Sequence, residues 1–430
     1  MIRFFHTADA HFGVENYGKV DQKTGIHSRF TDFVKSFESC VDQAIEEQID
    51  FFLFCGDAYK TAHPTPTQQK EFIRLLFKLQ KAKIPVVIIV GNHDHPLSFG
   101  KAHALDVFSD IPLSGIHVFS KPDVLQLKTK NGVVQIVGIP WPIKNKIISK
   151  EEHFLKEDKD ISSVISEKIG MIIHDFASNL DPKLPAVLAG HLTVSNGIFS
   201  GSEKCAIFGR DPVLLPSQLA IEPFDYVALG HLHRYQNLNP NSDLPVVYSG
   251  SLERIDFGER KEAKGFCRVE IKDKKSCKHE FVEIKTRPMI QIEVELEKDG
   301  DQTEQIVEKI KELDIKDAIV KIIYHISDDT KDQVDLLAVQ RECSDALCVA
   351  SIIPMRKHVT KERSLKLNVS MKFSDVLDRY IELKKDDFGV DIKSLKEKAF
   401  KLYDMIHGDV VESNQKLELK KEINLKQESN

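Results

Sequence analysis

One local design recurs along this chain and limits what it can fold into. A short run of β-branched or aromatic residues ends at a turn that carries Asp, Asn or His. The clearest case is Ile84-Pro85-Val86-Val87-Ile88-Ile89-Val90, followed by Gly91-Asn92-His93-Asp94. A run this short and this apolar reads as a buried strand. Its end presents an amide oxygen, an imidazole and a carboxylate, which suit a metal or a phosphate better than packing. Ile2–His6 leads in the same way to Asp9 and His11, and Phe51–Phe54 leads to Gly56-Asp57. Pro185–Ala189 leads to Gly190-His191, and Tyr226–Leu229 to Gly230-His231-Leu232-His233. Asp9 and His11 lie two apart, so an extended chain there would point both to one side.

Helical stripes separate the first runs. Phe30, Phe33, Val34, Phe37, Val41, Ala44 and Ile45 make one, and Phe72, Leu75, Leu76 and Leu79 another. Strand alternating with helix predicts a largely parallel inner sheet, with a site at the carboxyl ends of its strands. Val134–Ile139 is a further strand, and Trp141 behind it reads as a packing anchor. Residues 144–160, rich in Lys and Glu, read as an exposed insertion before a helix that runs to about Leu180. Val246–Ser251, Cys267–Ile271 and Glu280–Ile284 complete this half.

The pattern changes near Arg287-Pro288. Ile290, Ile292, Val294 and Leu296 alternate with polar residues as in a half-exposed strand. A helix at 302–313, a strand at 318–326, a helix at 330–343 and a strand at 347–353 are expected next. Between Pro354 and Lys372, Arg356, Lys357, Lys361, Arg363, Lys366 and Lys372 face a single acid, Glu362. That stretch is either a solvated linker or a phosphate-contacting surface. Two helical stripes follow, Phe373, Val376, Leu377, Tyr380 and Ile381, then Ile392, Leu395, Ala399, Leu402 and Ile406, with Gly389 between them. The expected divisions are 1–286, 287–353, 354–372, 373–410 and a flexible tail at 411–430.

Composition narrows the class. With 430 residues, 41% apolar and 29% charged, the chain suits two or three soluble globular domains. A net charge of −6 excludes a globally basic nucleic-acid coat but leaves room for a local basic groove. Seven cysteines with no CxxC pair suggest reduced thiols in the cytoplasm. No apolar run approaches the roughly 20 residues of a membrane span. No leader is evident, and Asp9 stands so near the start that the mature chain is expected to begin here.

The strand ends together offer Asp9, His11, Asp57, Asn92, His93, His191, His231 and His233. Imidazole, carboxylate and amide oxygen without thiolate suit Mn, Fe or Zn in a reactive site rather than a structural zinc cage. The donors are too many for one ion, and a central carboxylate can bridge two. Such a pair of ions points to phosphoester hydrolysis.

These motifs resemble those of the calcineurin-like metallophosphoesterases, and the domain layout resembles their SbcD-type nuclease family. His6-Thr7-Ala8-Asp9 with His11, Gly56-Asp57-Ala58-Tyr59, Gly91–Asp94, Gly190-His191, Leu229–His233 and Tyr248-Ser249-Gly250-Ser251 carry the resemblance, which covers roughly residues 1–410. It implies a four-layer αββα sandwich with a small α+β capping domain at 287–353 and C-terminal helices. One metal would be held by Asp9, His11, Asp57 and His233, and a second by Asp57, Asn92, His191 and His231, most simply two Mn2+ ions. His93 would act on the phosphate as proton donor or charge stabiliser, oriented by a hydrogen bond that Asp94 accepts. The helices after Lys372 would bind a coiled-coil ATPase of the SbcC type, in a homodimer acting on double-stranded DNA ends and hairpins. His6 and His63 match no ligand position and read as structural. Where archaeal and eukaryotic relatives carry a histidine three residues after the bridging aspartate, this chain has Lys60. A small-molecule phosphodiesterase or phosphatase has the same metal core but no need of 140 further residues. A DNA-end-binding scaffold without catalysis has no need of a complete donor set.

Overall fold

The computed structural model describes residues 1–95, 102–110, 115–147, 158–201, 211–274, 276–328, 330–357, 373–383 and 393–403. The short apolar runs form strands. Four of them, β1 (Ile2–Thr7), β2 (Phe51–Phe54), β3 (Val86–Ile89) and β4 (Ile116–Phe119), lie parallel and side by side. A second sheet is built from β5 (Asp123–Thr129), β6 (Gly132–Ile139), β7 (Ala186–His191), β10 (Tyr226–Gly230), β11 (Gln236–Asn237) and β12 (Val246–Tyr248) in the order β11-β12-β10-β7-β6-β5. Its inner strands β6, β7, β10 and β12 are parallel. Between β7 and β10 the chain forms β8 (Thr193–Val194) and β9 (Val213–Leu214), which pair with each other. Two antiparallel strands, β13 (Gly265–Asp273) and β14 (Ser276–Glu283), extend the first sheet beyond β1.

Side-chain alternation stacks these sheets. Phe51 and Leu53 face the layer between the sheets, where Phe4, Val87 and Ile89 meet Ile136, Val187, Ala189 and Ala228. Phe52 and Phe54 face the other way, onto helices α1 (Ser28–Glu46) and α2 (Pro66–Lys81) through Phe37, Phe72 and Leu76. Helix α3 (Asp158–Ser178) covers the second sheet with Ile161, Ile165, Ile169 and Ile173. The result is the four-layer αββα arrangement. Both faces of each inner strand are buried, which explains why the runs are apolar throughout rather than alternating. Helix α2 starts where Thr65 and Gln68 cap each other and Pro66 fits the first turn. Of the expected insertion, Lys144–Ile147 is a short helix, and residues 148–157 lie outside the described residues.

Residues from Met289 build a smaller sheet in the order β15 (Met289–Glu295), β16 (Ile319–Ser327), β17 (Cys348–Lys357), with α4 (Gln302–Lys311) and α5 (Leu336–Glu342). Its own core includes Ile292, Ile306, Ile310, Ile322 and Val339. Two expected boundaries move. Helix α5 begins at Leu336 rather than near 330, because the Asp335 carboxylate caps Leu337 and Ala338 while Gln302 ties down Lys331 and Gln333. Pro354, expected to open a linker, lies inside β17, an edge strand that can spare its N–H. This sheet is fastened to the larger one through Arg287, which forks onto Asp32 at 2.6 and 2.7 Å and donates to the Asp317 carbonyl. Buried Arg29 holds the same Asp32 at 3.0 Å.

The described residues beyond β17, 373–383 and 393–403, belong to a separate unit. In it, helix α6 (Phe373–Leu383) meets a second helix over 393–403. Phe373 stacks on Tyr403 at 4.2 Å and lies edge-on to Phe400, so the contact uses aromatic residues outside the expected second stripe. Leu402 of that stripe is 60% exposed. Lys361, Glu362, Arg363, Lys366, Lys372, Gly389, Ile392, Ile406 and the tail at 411–430 lie outside the described residues.

Candidate metal centre

The donors converge because they leave the carboxyl ends of parallel strands in both sheets. Asp9 and His11 follow β1, Asp57 follows β2, and Asn92 and His93 follow β3. His191 ends β7, and His231 and His233 follow β10. The loops stay in register beyond the strands, as Asp9 N–H donates to the Gly56 carbonyl and His11 N–H to the Asp57 carbonyl. Ala8 bridges to Ser251, which joins the end of β1 to the segment after β12.

The convergence of Asp9 and His11 has a different cause from the one expected. The chain there is not extended. Asp9 and His11 have φ of 55° and 44°, and Asp57 and His231 have 57° and 103°. Left-handed backbone at four non-glycine donors concentrates strain at this site. Close approach also demands glycine beside them. A Cβ on Gly91 would stand 2.1 Å from Asp57 Oδ1, and one on Gly56, at φ 94°, would stand 2.3 Å from His191 Nδ1.

On one side, His11 Nε2 faces His233 Nε2 at 3.1 Å, with Asp9 Oδ1 3.9 Å and Asp57 Oδ2 3.7 Å from His11 Nε2. On the other, His191 Nε2 lies 3.4 Å from Asp57 Oδ2 and 2.9 Å from Asn92 Oδ1, and His231 Nδ1 lies 3.2 Å from the same Asn92 oxygen. Asp57 Oδ2 is the atom common to both groups. Asp9, His11, Asp57, His191, His231 and His233 are all buried. The set fits two divalent cations, because facing ring nitrogens and two buried carboxylates converge there with no Lys or Arg side chain bonded to them among the described residues.

The titration behaviour reflects that need. Burial raises Asp9 to about 6 and lowers His231 to about 3. Burial likewise holds His11 well below its ordinary value. Burial would lower His191 too, but Asp57 outweighs it and raises the ring to about 9. The same imidazole, with His93, overcomes burial to keep Asp57 well below the carboxylate range.

His93 is exposed, its ring edge-on to His11 at 4.9 Å, and one of its nitrogens lies within 4.8 Å of donor atoms of His11 and Asp57. The expected hydrogen bond from the His93 ring to Asp94 is not made. Asp94 instead accepts backbone N–H groups from Asp57 and Gly91 on Oδ2, at 3.0 and 2.9 Å, and from Ala58 and Tyr59 on Oδ1, at 3.0 and 3.4 Å. Its short side chain is consumed by two turns and cannot also reach the ring. The His93 ring is held by the Lys60 carbonyl, which accepts from Nδ1 at 2.8 Å. A main-chain carbonyl is available whichever residue stands there, so this contact does not depend on the Lys60 side chain.

His6 is buried between Tyr226 Oη and the Leu229 carbonyl, away from the donors, and His63 is exposed. Trp141 lies against His231 at 4.9 Å and near His191 at 6.1 Å, so it packs on two donors rather than on the core alone. Two further residues, Glu259 and Lys264, are missed by sequence reasoning. Glu259 Oε1 accepts from His233 Nδ1 at 3.0 Å, and Lys264 Nζ lies 2.8 Å from Glu259 Oε2. Burial alone would raise the Glu259 carboxyl, but Lys264 and the His233 bond hold it at about 2. Both sit in a stretch dense in Glu, Arg, Lys and Asp, where nothing in the pattern singles out a buried ion pair.

Comparison with known proteins adds four findings. Residues 2–235 match the family described as calcineurin-like phosphoesterase. The chain is 28% identical over 331 residues to the D subunit of the nuclease SbcCD from Staphylococcus epidermidis, covering 72% of this chain and 75% of that one. Among solved structures it is similar to a dimetal phosphatase from Danio rerio, with TM-score 0.38 and 8% identity over 65% of this chain and 98% of that one. It is also similar to the protein TT1561 of Thermus thermophilus, with TM-score 0.35 and 12% identity over the same shares.

Proposed function

The chain belongs to the calcineurin-like phosphoesterases, and we propose that within them it is a Mn-dependent DNA nuclease that works with a coiled-coil ATPase of the SbcC type. The observation that carries the hydrolytic part is Asp57 Oδ2, one buried oxygen within 3.7 Å of His11 on one side and 3.4 Å of His191 on the other. The DNA part is supported by the 28% identical relative, whose name is that of a nuclease subunit.

In this reading Asp9, His11, Asp57 and His233 hold one cation, and Asp57, Asn92, His191 and His231 the other. Two such ions, when bound, activate water and neutralise charge on a phosphate. The protein's own groups do the rest. His93 donates Nδ1–H to the Lys60 carbonyl, and in its doubly protonated form the ring can then present Nε2–H to the phosphate and pass that proton to the leaving oxygen, ending as the neutral Nδ1–H imidazole. Asp94 is a positioning residue that fixes the turns carrying Asp57 and Asn92. Trp141 shields His191 and His231 from water. The sheet from Met289 to Lys357 acts as a cap that shapes DNA access, and the helices after Lys372 bind the ATPase.

The test incubates the purified full chain with Mn2+ and labelled double-stranded DNA, with and without the ATPase and ATP. The reading expects Mn-dependent cutting that the partner and ATP stimulate. Turnover of small phosphodiesters with no cutting of DNA under any of these conditions would make it a small-molecule phosphodiesterase. DNA binding without hydrolysis would make it a scaffold.

A further inference from the structure

We infer that Glu259, neutralised by the buried Lys264, is a positioning residue that fixes His233 for one of the two cations and makes the two sites unequal in affinity. The inference rests on the two-cation reading and adds a residue outside both donor sets.

The second partners of the ring donors differ in kind. His191 Nδ1 is held at 2.7 Å by a neutral group, the Cys55 carbonyl. His231 turns Nδ1 toward Asn92 and leaves Nε2 buried without a hydrogen bond. His233 alone among these three has a carboxylate behind it, Glu259 Oε1 at 3.0 Å from Nδ1. A carboxylate can only accept, so it fixes the proton on Nδ1 and directs the Nε2 lone pair toward His11 and the centre. It also makes that lone pair more basic.

A buried carboxylate is costly without compensation. Here Lys264 Nζ stands 2.8 Å from Glu259 Oε2, and both side chains are fully shielded from solvent. The Ile255 N–H donates to the same oxygen at 3.0 Å. Lys264 also donates to the His233 carbonyl at 2.9 Å and to Glu262 at 3.3 Å. One ammonium therefore grips both the backbone of His233 and the carboxylate that orients its ring.

The turn that bears Glu259 is itself anchored. Asp256 caps it by accepting from Gly258 N–H at 2.7 Å. Phe257 packs with Met289 and Ile319 of the smaller sheet, with Tyr17 against its ring and the Lys321 ammonium over it. A seated aromatic at one end and a buried ion pair at the other leave Glu259 little freedom to follow a shifted ring.

The experiment is a Mn2+ titration of the metal-stripped full-length chain, read by electron paramagnetic resonance and calorimetry. Wild type should take two ions. Glu259→Gln should weaken one of them about 10–100-fold, the cost typical of losing such a partner, and leave the other within about twofold. Glu259→Gln combined with Lys264→Met removes the pair without stranding a buried charge and should give the same selective loss. Adding Glu259→Gln to His233→Ala should cause no further loss, since the residue acts through that ring. Two ions bound by both Glu259 variants as in wild type would overturn the inference, as would equal weakening of both ions or an additive effect in the His233→Ala background. Failure of wild type to take two ions would instead overturn the two-cation reading.

Discussion

Removing the Asp94 carboxylate should loosen two turns at once rather than delete a chemical step. Asp94 is fully buried and accepts four backbone N–H groups, three at 2.9–3.0 Å and one at 3.4 Å. A hydrogen bond to a charged group contributes about 1.5–3 kcal/mol. At about 1.4 kcal/mol per tenfold, each short bond lost should speed exchange of its amide by roughly 10–100-fold; the Tyr59 bond, at 3.4 Å, should matter less. The three strong bonds together reach several kcal/mol, at the severe end of single substitutions. Asp94→Asn keeps one accepting oxygen and should cost about half as much, because its amide nitrogen opposes the remaining donors. The assay is hydrogen exchange read by mass spectrometry on peptides spanning 55–60 and 89–93, alongside turnover of a small phosphodiester. Asp94→Ala should lose protection in both peptides and lose activity with it. Unchanged protection with a roughly 100-fold fall in turnover would refute the argument and return Asp94 to the chemistry.

His93→Ala should retain both ions and lose about 10²–10⁴-fold in turnover, the usual cost of a lost proton-transfer group; metal content measured beside kcat checks it, and a matching loss of metal would make His93 a ligand. Gly91→Ala removes no donor, yet its Cβ would stand 2.1 Å from Asp57 Oδ1 and 2.4 Å from Asp57 N. It should displace the shared carboxylate and strip the metal, and normal Mn2+ binding by this variant would show that the close approach is dispensable.

The main layers were legible because a strand buried on both faces must be apolar throughout. Phe51–Phe54 and Val86–Ile89 have no other reading at that length. The strand ends were legible for the same reason, since a polar cluster directly after such a run stands out. What the sequence could not express was local geometry. Asp9 and His11 meet through left-handed backbone, which spacing alone does not reveal. Asp94 looked like a partner for its neighbour His93, but its oxygens are taken by amides near position 57, a contact between distant segments. Glu259 and Lys264 were hidden by their company, because charges among charges read as surface until the fold buries them. Trp141 reads as an anchor, and the structure adds that it is anchored on donor rings.

The central claim is that one carboxylate, Asp57, serves both cations, and anomalous scattering from Mn-soaked crystals tests it most directly. Wild type should show two peaks flanking Asp57 Oδ2, one beside His11 and His233 and one beside His191 and Asn92. Asp57→Ala should show neither at full occupancy, since each group loses its common oxygen. Two fully occupied ions in Asp57→Ala would contradict the account.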